Sequence, residues 1–337
     1  MLDLNSIFDS LAVPTTDKSE GFRFSALPIP GLERHRLGKS VRGEPTLLIA
    51  VADAVERGRP VPIALEHLAI QHDMDCRIAR PDGSVENGQF TVVRCVGADQ
   101  ALSSYFLRVA SALVASLGEA PLRVDVSKAI DGLVELFRAM KDLPRKSIQG
   151  LWAELFVIAR AHDPGMLVKA WHATPGDRYD FSLGLQRVEV KSTASRLRRH
   201  YFTIEQLHPP RDTVLVVVSL FVERAGAGLS IVDLVDEIRS HLSGDVDLAH
   251  WVDRVVALTL GEDWRLAEDE RFDNALAQSS LACYEPVAIP RLDAAVPLGV
   301  SEVRFRSDLT NIPSIPVGSL RSADGLIRAL MPRRRAG

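Results

Sequence analysis

The stretch Tyr179-Asp180-Phe181-Ser182-Leu183-Gly184-Leu185-Gln186-Arg187-Val188-Glu189-Val190-Lys191-Ser192-Thr193 decides how this chain is read. It holds two short strand patterns, 179–183 and 187–193, joined through Gly184. Alternate side chains of a strand share a face, so Glu189 and Lys191 project together while Val188 and Val190 pack behind them. Asp180 and Ser182 likewise share one face of the preceding strand. If the two strands pair, Asp180, Glu189 and Lys191 converge on one spot. Two carboxylates and an ammonium gathered at a sheet surface are costly to desolvate unless something binds there. A hard divalent cation is the natural guest, and Mg²⁺ prefers a few carboxylate oxygens, a backbone carbonyl and waters. The Val190 carbonyl, between the acid and the lysine, is placed to be that ligand.

Upstream, Ile148, Leu151, Trp152, Leu155 and Ala159 share one face of a helix that begins after Ser147 and is stopped by Asp163-Pro164-Gly165. Glu154 lies at the border of that apolar stripe, where a helix packed on the sheet can aim it at the same cation. Downstream, 213–222 is a nearly continuous β-branched and apolar run, as expected of a strand covered on both faces.

The series Glu154, Asp180, Glu189-Val190-Lys191 resembles the PD-(D/E)XK nuclease superfamily. Longer segments are similar to a bacterial family known as PD-(D/E)XK motif proteins: Arg145-Lys146-Ser147-Ile148-Gln149-Gly150-Leu151-Trp152-Ala153-Glu154-Leu155, Ala170-Trp171-His172-Ala173, the stretch quoted above, and Arg304-Phe305-Arg306-Ser307-Asp308-Leu309-Thr310. The likeness runs through most of the chain, although Tyr179 stands where the motif carries proline. It implies an α/β fold with a restriction-endonuclease-like mixed central sheet flanked by helices. It also implies an Mg²⁺-dependent endonuclease that hydrolyses DNA phosphodiesters, with Mn²⁺ as a substitute, in restriction or phage defence. Other defence-system proteins and a second copy of the chain are the implied partners. By the resemblance, Asp180 and Glu189 are metal ligands, Glu154 is an auxiliary acid, and Lys191 orients or activates water.

Around this core the expected organisation is an α+β N-terminal region over 1–100, the nuclease core with its preceding helices over 101–225, and a mostly helical C-terminal α+β region over 226–337. Strands are expected near 21–27, 76–80 and 90–96, turns at Pro81-Asp82-Gly83 and Glu86-Asn87-Gly88, and a helix over 46–57. A helix carries Leu102, Tyr105, Phe106, Val109 and Leu113, and Ser127 is expected to cap the next. Ser230 is a plausible cap for the helix of Ile231, Leu234, Val235 and Ile238. A strand is expected over 301–306, and Pro332-Arg333-Arg334-Arg335 reads as a frayed basic tail.

Composition, at 46% hydrophobic and 25% charged residues, is that of a core-forming globular protein. Cys76, Cys95 and Cys283 are odd in number and widely spaced, which fits buried thiols in a reducing cytoplasm rather than disulfides or zinc. No signal peptide or apolar run long enough to span a membrane is evident. A net charge of −4 excludes general coating of nucleic acid, so DNA contacts must be local. Between Arg187 and Arg211 six basic residues face two acidic ones. Arg196, Arg198 and Arg199 are candidate phosphate contacts, and Gln206 is a candidate polar contact near the scissile phosphate. His172 and His200 are read as structural, and Trp152 and Trp171 as core. No P-loop, His-Glu-X-X-His or Gly-X-Ser-X-Gly pattern is present. A non-cleaving DNA-binding or scaffold subunit is the competing reading, which intact Asp180, Glu189 and Lys191 disfavour. DNA and RNA are not distinguished by these residues.

Overall fold

Where apolar residues alternate or run continuously in this chain they form strands, and where they recur at helical spacing they form helices packed on those strands. A computed structural model describes residues 3–14, 23–52, 60–79, 85–140, 146–172, 177–242, 244–293, 297–300, 303–316, 319–320 and 323–331. The fold is mixed α/β. Its contacts divide the chain into two compact units, Met1–Asp142 and Leu143–Gly337. The boundaries therefore differ from those expected at 100 and 225: the two helices expected with the core belong to the first unit, and the C-terminal region belongs with the second.

In the first unit, helix α1 (Leu4–Ser10) precedes strands β1 (Arg23–Ile29), β2 (Leu32–Lys39), β3 (Pro45–Ile49), β4 (Ile63–Ala64), β5 (Leu68–Ala79) and β6 (Val85–Cys95). Their order is β1-β2-β3-β6-β5-β4, antiparallel throughout, except that β1 also pairs in parallel with β5 and so closes a ring. Phe24, Ala26, Leu48, Ile78, Phe90 and Val92 pack together in one apolar cluster. The helix expected over 46–57 is not formed: Thr46-Leu47-Leu48-Ile49 is buried on both faces as β3, between β2 and β6. A short run of this kind serves a strand as well as a helix, and pairing on both sides decides it. Glu86-Asn87-Gly88, expected as a turn, lies within β6 opposite Ile78, Arg77 and Cys76; the Pro81-Asp82-Gly83 turn lies outside the described residues. Helix α2 (Gln100–Leu117), capped by Asp99, buries Leu102, Phe106 and Leu113. Helix α3 (Arg123–Ala139) starts earlier than Ser127. Asp125 accepts from the Leu122 N–H and satisfies the helix start, so Ser127 sits inside it.

The second unit opens with α4 (Ile148–Arg160), whose N-cap Ser147 accepts from the Gly150 N–H at 3.1 Å. Asp163 then caps a further short helix, α5 (Pro164–Ala170), where only a stop was expected. Strands β7 (Phe181–Leu183) and β8 (Gln186–Thr193) form the antiparallel hairpin around Gly184, whose φ of +52° suits glycine. After β9 (Arg199–Thr203) and the single turn α6 (Ile204–Leu207), β10 (Val214–Phe221) returns parallel to β8. Strand β11 (Arg224–Leu229) is followed by helices α7 (Ile231–His241), α8 (Val246–Leu260), α9 (Leu266–Asp269) and α10 (Asn274–Ser280). Strands β12 (Ala282–Tyr284) and β13 (Arg304–Asp308) and helix α11 (Gly325–Ala329) complete the described elements.

The central sheet has the order β12-β10-β8-β7, and β13 pairs with β9 separately. Val216, Val218 and Leu220 of β10 join Val188 and Val190 against Trp152, Leu155, Phe156 and α7; Leu215 and Val217 face Tyr179, Phe202 and Tyr284 on the other side. A strand covered on both faces in this way reads as a continuous apolar run. Ser230 caps α7 in a reciprocal arrangement with Asp233. Residues 332–337, with the basic tail, and 301–302 lie outside the described residues.

Candidate metal centre

The register Ser182↔Arg187 and Phe181↔Val188, continued by one residue, sets Asp180 across from Glu189. Phe181, Val188 and Val190 point into the apolar cluster under α4, so Asp180, Glu189 and Lys191 belong to the opposite face. Asp180 lies just beyond β7, and its Oδ2 accepts from the Val190 N–H at 2.8 Å, continuing the hairpin's ladder with a side chain. Val190 thus enters the site through its N–H.

Helix α4 is held to β8 by Gln149, which donates to Ser192 Oγ at 3.1 Å. One turn along, Glu154 is 2% exposed, deeper than a stripe border suggests. Trp171 Nε1 donates to its Oε2 at 2.8 Å, and His172 Nε2 lies 3.1 Å from the same oxygen. His172 holds this place with φ +45°, a left-handed backbone uncommon outside glycine. Lys146, just before the cap of α4, places its Nζ 2.5 Å from Glu154 Oε1 and 2.5 Å from Asp180 Oδ1. Ligand atoms of Glu154, His172 and Asp180 lie within 4.8 Å of one another. Glu189 is not a member of that trio.

Glu189 is 3% exposed. Its Oε1 accepts from Gln206 Nε2 at 2.6 Å and pairs with Lys191 Nζ at 2.7 Å. Its Oε2 is buried and, among the described residues, has no hydrogen-bond partner. Gln206 is presented by α6, whose N-cap Thr203 forms a reciprocal pair with it. The Lys191 ammonium lies 5.2 Å from the centre of the Phe202 ring.

Burial and the charge of Asp180 push Glu189 up to about 8, against the pull of Lys191. Burial and the charge of Glu154 also raise Asp180, against Lys146. Burial alone would raise Glu154, but the Lys146 ammonium and His172 overcome it and hold the carboxyl at about 2. Burial opposes the charge on Lys146, yet Asp180 and Glu154 keep the ammonium well above its usual range. Glu154 has the extra donors, so it keeps its charge more readily than Asp180.

Carboxylates with one imidazole are a donor set for a hard or borderline divalent cation. The unpartnered Glu189 oxygen is the observation that tests the fit, since a buried carboxylate oxygen without a donor is unfavourable unless a cation or donor meets it. The residues fit such a cation.

The other candidate residues are engaged elsewhere. Arg196 pairs with Glu223 at 2.6 Å, and Arg199 with Asp308 at 2.8 Å. Arg198 is half-buried: it donates to the backbone and hydroxyl oxygens of Ser219 at 2.8 Å and to the Ser280 carbonyl. His200, buried beside it, lies 2.8 Å from Ser219 Oγ, and burial with the charges of Lys191 and Arg198 lowers it to about 4. Beside the site, a hollow of about 430 Å³ is lined by Asp177, Arg178, Tyr179, Ser182, Gly184, Arg187 and Pro210.

The sequence model of one protein family, described as "Putative PD-(D/E)XK family member" (DUF4420), matches residues 4–310. The chain belongs to this family. The DUF4420 match spans most of the first compact unit and the second as far as residue 310, and it includes every residue of the centre. No curated protein and no solved structure matches the chain. Sequence reasoning missed Lys146 and His172 as neighbours of Glu154. Both stood in segments quoted for the family likeness, but neither carries a periodic signal of its own. Among the described residues no helix is long and apolar enough to cross a membrane.

Proposed function

We propose that this chain is a divalent-metal-dependent nuclease with a restriction-endonuclease-like core, hydrolysing DNA phosphodiesters with Mg²⁺ or Mn²⁺ in restriction or phage defence. The PD-(D/E)XK family membership supports a nuclease. The single observation that carries the reading is the buried Glu189 carboxylate, with one oxygen unpartnered, opposite Asp180 and beside Lys191. Asp180, Glu189 and Glu154, with His172 beside them, are the residues that would hold the cation. When bound, it supplies Lewis acidity toward the phosphoryl group.

The remaining chemistry belongs to the chain. Lys191 shares its face with Glu189 and offers a positive charge where negative charge builds on the phosphoryl oxygens. Gln206 fixes the Glu189 carboxylate, and Trp171 and His172 orient Glu154. Arg187 lies on the same face of β8, and its guanidinium donates to the Gly184 and Gln186 carbonyls at 2.7 and 2.8 Å. With Arg178 it sets two cations against the one carboxylate of Asp177 on the hollow beside the site, and that net positive lining suits a polynucleotide backbone.

Supercoiled plasmid incubated with the purified chain and Mg²⁺ or Mn²⁺ tests the proposal, with EDTA as control and RNA in a parallel arm. Metal-dependent nicking is expected, falling at least about 100-fold in Asp180→Ala and Lys191→Ala. Equal cleavage by the wild type and both variants would end the assignment, and cleavage of RNA alone would replace the substrate.

A further inference from the structure

We propose that Lys146 is a tethered counter-ion that holds the cation's place between Glu154 and Asp180 and must be displaced when a divalent cation binds. This rests on the reading that the centre takes such a cation. The two carboxylates are 2% and 5% exposed, and buried charges of like sign this close require a positive partner. Lys146 Nζ supplies it, at 2.5 Å from one oxygen of each. Those same two carboxylates belong to the trio that could ligate a metal. An ammonium and a divalent cation cannot both hold them, because positive charges a few ångströms apart in a buried setting repel strongly.

The side chain is built to leave. Its base lies on a bend ahead of the Ser147 cap, outside the helix, so swinging it out breaks no helical hydrogen bond. At 32% exposure the side chain already has a path to solvent, whereas its partner Glu154 has none at 3%. Glu154 is held by Trp171 and His172 whether or not the lysine is present. The acids therefore stay in place while the cation between them is exchanged. The cost of ejecting Lys146 is subtracted from the metal's affinity, and the lysine in turn keeps the metal-free protein folded.

The test uses the full chain with Mn²⁺ alone as the probe, comparing the wild type with Lys146→Met and Lys146→Arg. Calorimetric titration should show Lys146→Met binding Mn²⁺ at least about tenfold more tightly than the wild type. Lys146→Arg, which keeps the charge, should bind like the wild type. The melting temperature of Lys146→Met should lie below that of the wild type without metal and rise further when Mn²⁺ is added. A second measurement needs no variant: acylation of wild-type Lys146 by an N-hydroxysuccinimide ester, read by peptide mass spectrometry, should accelerate severalfold when Mn²⁺ is added. Equal or weaker Mn²⁺ binding by Lys146→Met, or an unchanged acylation rate, overturns the exchange and leaves the metal centre standing. No Mn²⁺ binding by any of the three proteins overturns both.

Discussion

Replacing Glu189 with glutamine isolates the electrostatic strain at the centre. In the folded chain this carboxyl is raised from 4.5 to about 8 by burial and by Asp180. At about 1.36 kcal/mol per unit, holding it ionised costs at most on the order of 5 kcal/mol. The cost is absent below about pH 4.5, where folded and unfolded chains are both protonated there, and complete above about pH 8. Stability of the metal-free protein should therefore fall as pH rises through that window. In Glu189→Gln this fall should be largely removed. The amide oxygen can still accept from Gln206, but the amide nitrogen inherits the unpartnered position, a penalty of about 1–3 kcal/mol at every pH. The curves should therefore cross: the variant is less stable near pH 5 and more stable by about 2–4 kcal/mol near pH 9. All four tryptophans, Trp152, Trp171, Trp251 and Trp264, lie in the second unit, so urea unfolding followed by their fluorescence in EDTA reports that unit alone. Parallel pH dependence for wild type and variant would refute the argument.

Other outcomes follow from the same contacts. Trp171→Phe deletes the indole donor to buried Glu154 Oε2 and should destabilise the second unit by about 1–3 kcal/mol in the same urea assay. Arg198→Ala strips donors from Ser219 and Ser280 and should lower the melting temperature, whereas Arg187→Ala should leave it within about 2 °C and weaken DNA binding measured by anisotropy in Ca²⁺. Gly228→Ala sets a methyl group onto the Phe272 backbone and should cost more than about 3 kcal/mol by urea unfolding. Mn²⁺ affinity measured by calorimetry should rise between pH 6 and pH 9, because the proton held by Glu189 competes with the metal.

Local rules made several parts of the fold legible. Alternation in 187–193 gave strand β8 and its two faces, Ser147 and Ser230 announced helix starts, and the apolar run before Val222 announced a strand buried on both sides. Partners distant in sequence decided what was misread. Thr46-Leu47-Leu48-Ile49 is a strand because β2 and β6 flank it, and β1 closes the ring on β5 across some fifty intervening residues. At the centre, same-face spacing singled out Glu189 and Lys191, but Glu154 looked like a helix border because the tryptophan and lysine that bury it come from other segments. Lys146 lies in a bend with no periodicity to read, and the unusual backbone of His172 leaves no mark in residue type.

Strand β8 presents valine to one layer and charge to the other, residue by residue. Sliding it a single position against β7 and β10 would drive Glu189 and Lys191 under α4 and strand Val188 and Val190 among carboxylates. The greasy side of the ribbon is thus the jig that sets the reactive side, and misalignment is penalised twice over. Variants that only trim that apolar packing, far from any charged group, will therefore blur the alignment of the acids before they unfold the chain.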